Sequence, residues 1–199
     1  MMAIDNINEL GKLNYNKQLV FAYLTCERLY PNYTFFSDNY CFGDKRVFRN
    51  AIDFILSISL LPDFSDDDKI KSYLNIIDLN TPFPHDFETI LASSALDSCS
   101  TLLETLSFIL DRNTSRLVNI SSFATDTVDM YIADRDKLDF NTDPDFDRKI
   151  FNDSLMQREH SIQNGIISYL NKIEKLELQD INNLLSLQFN NNRSNIDLS

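Results

Sequence analysis

Three glycines and five prolines in 199 residues leave this chain almost without the residues that close tight hairpins. Two-residue hairpin turns call for backbone at positive φ, which glycine supplies most readily. A sandwich or barrel of many short strands would therefore lack its connections. Phosphate-cradling loops and the dinucleotide glycine fingerprint lack their raw material too. The remaining reading is helical. Apolar residues recur at steps of three and four through almost every segment, as they do in helices that each bury one face.

The pattern predicts about seven to eight helices in a single all-α bundle spanning residues 1–199. The first strong one covers 15–30, with Leu19, Tyr23, Cys26 and Tyr30 in one stripe. Pro31 is expected to stop it, because proline disfavours helical geometry in the residue before it. A short aromatic segment with Tyr33, Phe35, Phe36 and Tyr40 follows, then a Gly43-Asp44 turn whose aspartate can cap the next helix. Val47, Ala51, Phe54, Ile58 and Leu61 give that helix the clearest stripe of all, and Pro62 ends it. Ser65 with Asp66, Asp67 and Asp68 reads as a helix start whose carboxylates complement the positive end of the helix dipole. Beyond Pro82 and Pro84, apolar positions from Phe87 to Leu110 predict a helix of some 25 residues. Another runs from Thr114 to about Tyr131. A polar loop over 134–143 leads to Asp143-Pro144, which restarts a helix carried to about Glu174. An amphipathic segment over 178–189 precedes residues 190–199, expected to form a flexible tail. No internal repeat marks a second domain.

Hydrophobic residues at 43% and charged residues at 24% match an ordinary globular chain of this length, which buries roughly 70% of its unfolded surface without help from disulfides or metal. The formal net charge of -12 repels phosphate backbones, so nucleic acid is a poor partner; an acidic surface favours a basic patch on another protein or divalent cations, or serves solubility alone. No secretory leader pattern is present, and the most apolar stretch, 52–61, is far shorter than the roughly 20 residues a bilayer span needs. A cytoplasmic protein with no membrane partner is expected. Cys26, Cys41 and Cys99 are odd in number and widely spaced, the pattern of reduced thiols.

The chemical inventory predicts no catalytic residue, no metal site and no cofactor. His85 sits in the proline loop, and His160 follows Glu159 without the Glu-x-x-His spacing of a di-iron bundle; both read as surface residues. Hydroxyls at Ser93, Ser94, Ser121, Ser122, Thr125 and Thr127 have no adjacent base. Asp66, Asp67 and Asp68, like Asp143, Asp145 and Asp147, fall at helix starts, where dipole stabilisation explains them. Glu27 lies between Tyr23 and Tyr30 on an apolar stripe, so it is expected to be partly buried and to need a partner, which Arg28, Arg46 or Arg49 can supply. Asp97 and Glu104 invite the same structural reading.

The run Cys26-Glu27-Arg28-Leu29-Tyr30-Pro31-Asn32-Tyr33, followed by Phe42-Gly43-Asp44, resembles the YjaG-like family of bacterial proteins, domain of unknown function 416. Agreement continues through Ala95, Asp97, Cys99, Leu102 and Glu104, through Thr127, Val128 and Met130, and into Ser194-Asn195-Ile196. The sequence departs from the family pattern at Asp197, where a glycine is usual, and in an extended region before Ser194. The resemblance implies a compact, all-helical protein of unassigned function, with a suggested tie to histidine-kinase signalling. It makes Glu27, Arg28, Tyr30, Pro31, Asn32, Tyr33, Gly43, Asp44, Asp97 and Cys99 the candidate binding positions, or else a corner that locks two helices together.

Two functional classes follow. A non-enzymatic interaction or regulatory module binding a protein partner is preferred. It calls for an exposed aromatic patch near Tyr33, Phe35 and Phe36 and for no buried polar cluster. The alternative is a small-molecule or metal-dependent enzyme in which Glu27, Asp44, Asp97 and Glu104 converge on one pocket. The long apolar helix faces also permit a homodimer.

Overall fold

A computed structural model describes residues 7–61, 66–188 and 193–199. Among these residues there are nine α-helices, eight of them seven residues or longer, and no sheet. They are α1 (Ile7–Leu10), α2 (Tyr15–Tyr40), α3 (Lys45–Ser59), α4 (Asp67–Leu79), α5 (Leu91–Asp111), α6 (Ser115–Asp136), α7 (Phe146–Asn152), α8 (Ser154–Lys172) and α9 (Leu178–Gln188), with one 3-10 turn at Pro84–Asp86. The all-α, single-domain expectation holds. No helix among the described residues is long and apolar enough to cross a membrane.

At the centre, α2 packs along α5, with α3 and α4 on one side and α6, α8 and α9 on the other. Leu19, Val20, Leu24, Ala95, Leu102 and Leu106 are buried where α2 and α5 meet the main core. A satellite core of Val128, Ile132, Ile150, Met156 and Ile196 joins α6, α7 and α8 to the C-terminal segment.

Several boundaries differ from the sequence expectation. Helix α2 does not stop at Pro31 but runs 26 residues, from a cap at Asn14 to a left-handed terminus at Cys41. Proline inside a helix removes one backbone hydrogen bond and costs about 3 kcal/mol. Burial of Tyr33 and Phe36 beyond it offsets that loss, at roughly 1.5–3 kcal/mol for each large apolar side chain. The Asp44 cap on α3 is as expected, its side chain accepting from the Arg46 amide. Asp66 caps α4, accepting from the Lys69 amide; the proposed roles of Pro62 and Ser65 fall outside the described residues. Helix α5 begins at Leu91, because residues 84–86 form the 3-10 turn.

The long helix expected from Asp143 is two helices. Asp153 takes an extended conformation, and its carboxylate accepts from the Leu155 amide, so it caps α8 at the point where α7 ends. Arg135 of α6 pins the break through an ion pair to Asp153 at 2.7 Å. The C-terminal segment is also at odds with a flexible tail. Ser194, Asn195 and Ile196 are buried, and Asn195 donates to the Ala124 carbonyl at 2.8 Å. Asp197 has φ +63, the left-handed conformation that glycine adopts without strain.

Candidate functional site

The motif residues of α2 diverge from one another, each towards a different neighbour. Glu27 accepts two hydrogen bonds from the Arg49 guanidinium, at 2.7 and 2.8 Å, which ties α2 to α3 as the sequence suggested. The adjacent Arg28 points the other way. It is 1% exposed and donates from Nε and Nη2 to Glu159 of α8, and from Nη1 to Gln188 of α9. Gln163 then donates to Glu159 at 2.7 Å and to the Ser121 carbonyl, while the Ser121 hydroxyl donates to Gln163. A buried polar network therefore ties α2, α6, α8 and α9. This overturns the expectation that no such cluster exists.

A second assembly centres on Asn80, at the end of α4. Its carbonyl accepts from the Tyr33 hydroxyl at 3.1 Å and faces the Cys99 thiol at 3.9 Å, and its side-chain oxygen accepts from the Asp44 amide at 2.8 Å. Gly43 has φ +70, and a Cβ there would fall on the Tyr33 hydroxyl, so both conformation and space require glycine. Tyr30 stacks on Phe48 and donates to the Lys45 carbonyl, and the Pro31 carbonyl accepts from Thr34. Asn32 donates to Asn195 at 3.0 Å. Burial pushes the Cys99 thiol up to about 12, so it is an inert neutral thiol. Cys26, Cys41 and Cys99 are all free.

These placements settle two expectations against the sequence reading. Tyr33 and Phe36 are fully buried and Phe35 is half-buried, so two of the three aromatics of the expected patch belong to the core. Glu27, Asp44, Asp97 and Glu104 do not share a pocket either. Asp44 pairs with Arg46 at the surface, Glu104 pairs with Arg116, and Asp97 accepts from the Thr127 hydroxyl at 2.8 Å.

The cavity with the strongest chemical character lies elsewhere, between α6, α7 and α8. It has a volume of about 190 Å³ and is lined by Thr125, Asp126 and Asp129 of α6, Asp147, Ile150 and Phe151 of α7, and Met156 and His160 of α8. The break at Asp153 makes this cleft, because it lets α7 turn away from the axis of α8. Asp126 and Asp129 are three apart and so share a helix face, where like charges repel. Burial and then its neighbour Asp129 raise the Asp126 carboxyl above the usual range, and burial and then Asp147 do the same to Asp129. Among the described residues, no lysine or arginine lines the cleft. The nearby Lys149 and Arg148 are paired with Asp143 and Asp145.

Sequence reasoning missed this site. Asp147 reads there as a helix-start acid and His160 as a surface residue. The Asp126-x-x-Asp129 spacing was the available signal. Among the described residues, no group of three His, Cys, Asp or Glu side chains is placed to hold a metal ion.

Comparison with known proteins accords with the fold and motif. The chain is 25% identical over 178 residues to the uncharacterized protein YjaG of Escherichia coli K12, covering 88% of this chain and 86% of that one. It is 27% identical over 124 residues to YjaG of Salmonella typhimurium, covering 61% of each. A crystal structure of a DUF416 family protein from Shewanella baltica superposes with a TM-score of 0.87 at 27% identity, covering 97% of both chains. The family model described as "Protein of unknown function (DUF416)" matches residues 5–199, and the chain therefore belongs to the DUF416 family.

Proposed function

We propose that this protein is a non-enzymatic binding module that takes a cationic side chain of a basic protein partner into the cleft between α6, α7 and α8. The observation that carries this reading is the lining itself. Asp126, Asp129 and Asp147 face a space with an apolar wall of Ile150, Phe151 and Met156, and among the described residues the lining holds His160 but no lysine or arginine. Arginine and lysine have that complementary shape, an aliphatic stem that packs on apolar surface and a charged head that pairs with carboxylates. The net charge of -12 steers a basic partner towards the surface over a range set by salt. An enzyme has weaker support, because the buried acids Glu27 and Glu159 are each committed to an arginine.

The test is titration of the protein with a short acetylated, amidated arginine-rich peptide at low salt, followed by fluorescence anisotropy. Saturable binding that weakens with salt and is lost in Asp126→Asn/Asp129→Asn, but kept in the control Asp67→Asn/Asp68→Asn on α4, supports the reading. Equal loss in both double variants reduces the effect to net charge and removes the cleft from the account.

A further inference from the structure

Among the described residues three carboxylates are buried, and they are treated differently. Glu27 receives two N–H donors from Arg49, and Glu159 receives two from Arg28 and one from Gln163. Asp97, 7% exposed on α5, meets a single hydroxyl, that of Thr127 on α6. The Thr127 oxygen lies 2.8 Å from Asp97 Oδ2 and 2.9 Å from the Phe123 carbonyl, yet it carries only one hydrogen. With Asp97 ionised, both neighbours compete for that hydrogen. With Asp97 protonated, the acid donates to Thr127 and Thr127 donates to Phe123, and both contacts are satisfied at once.

We infer that Asp97 holds a proton in the native protein and that this proton fastens α5 to α6, making the contact a pH-sensitive lock. A buried carboxyl without a cation takes up a proton rather than bear an unpaired charge. The charged groups on the elements packed against α5 do not relieve it. Asp126 of α6 is negative and opposes ionisation. Glu27 and Arg28 of α2 are paired with Arg49 and Glu159, and Lys69 of α4 lies over the Phe54 ring. His85 and Asp86 of the 3-10 turn are exposed. Burial first, and Asp126 in addition, push the Asp97 carboxyl up to about 7, against hydrogen bonding from Thr127 that lowers it.

The sign follows from proton linkage. A carboxyl near 3.9 in the unfolded chain and near 7 in the fold means that the native state binds more protons between those values. Stability from Asp97 is therefore complete below about pH 4 and is lost as pH rises towards 7. Asp97→Asn keeps an N–H donor to Thr127 but cannot ionise. Thermal unfolding of wild type and Asp97→Asn across pH 4.5 to 8.5 tests the inference. The melting temperature of Asp97→Asn relative to wild type should climb steadily to about pH 7 and then level off. A difference that is constant with pH, or that falls, overturns it. Carboxyl-carbon NMR of wild type labelled at aspartate gives a reading that needs no variant. An Asp97 resonance still neutral at pH 6 supports the inference, and titration near pH 4 defeats it.

Discussion

Around Asn80, donors from Tyr33, Asp44 and Cys99 converge on one residue, as donors from Arg28 and Gln163 converge on Glu159, whereas in the cleft between α6, α7 and α8 three carboxylates face a shared space with no lysine or arginine of the described residues in its lining. The first arrangement uses its polar groups to hold helices together. The second leaves its charges available to something else. Arg28, Tyr33, Asp44 and Cys99, among the residues that make the family resemblance recognisable, sit in the first, and none of the residues of that resemblance lines the cleft. A long, specific motif can thus mark what the fold needs in order to close, and in this chain Arg28, Tyr33 and Gly43 do that work. The cleft carboxyls of Asp126 and Asp129, by contrast, are raised by burial and by their acidic neighbours.

If that contrast is right, substitutions in the two regions should differ in sign as well as size. Arg28→Ala should have the largest effect, a loss of about 3–5 kcal/mol in chemical denaturation, because it leaves Glu159 charged and buried without its partner. A loss below about 1 kcal/mol would show that the network is not holding α8 and α9 to α2.

Gly43→Ala comes next, with an expected cost of about 2 kcal/mol from left-handed backbone strain and displacement of the Tyr33 ring. A double-mutant cycle with Tyr33→Phe separates the two causes. If collision with the hydroxyl contributes, the combined loss is less than additive, and strict additivity would leave backbone strain as the whole explanation.

Asp126→Asn/Asp129→Asn should show the smallest effect, within about 0.5 kcal/mol at pH 4. Both carboxyls are raised in the fold, so the native state holds their protons more tightly, and wild-type stability falls as pH rises through that window. The asparagine variant cannot ionise and escapes this loss. It should therefore become the more stable protein as pH approaches 8, in unfolding curves taken side by side. A destabilised variant at pH 8 would mean that these carboxylates are structural after all.

The helical fold was legible in the sequence because its signals are local. Stripes such as Ala51, Phe54 and Ile58 state the helix, its face and its period within a few turns. That Glu27 needs an arginine partner was legible for a similar reason, since α2 and α3 are consecutive helices joined by a short turn, but the choice of Arg49 over Arg28 and Arg46 came from the structure. Continuation through Pro31 was not, because burial of residues beyond it outweighs a local penalty. The break at Asp153 was hidden by apolar spacing that continues across it, and the arginine that pairs with Asp153 lies on another helix. Glu159 could not be matched to Arg28 from sequence, because 131 residues separate them and only the packing of α8 on α2 brings them together. The cleft was missed on the same grounds. Its lining comes from three helices, one of which exists only because of the Asp153 break.

The division between a holding corner and a binding cleft is tested most directly by amide NMR of the labelled protein titrated with the arginine-rich peptide. Shifts gathered at Asp126, Asp129, Asp147 and His160, with Tyr30 to Tyr33 and Gly43 unmoved, are the predicted result. Shifts centred on the Tyr33 and Gly43 corner, with the cleft silent, would contradict it.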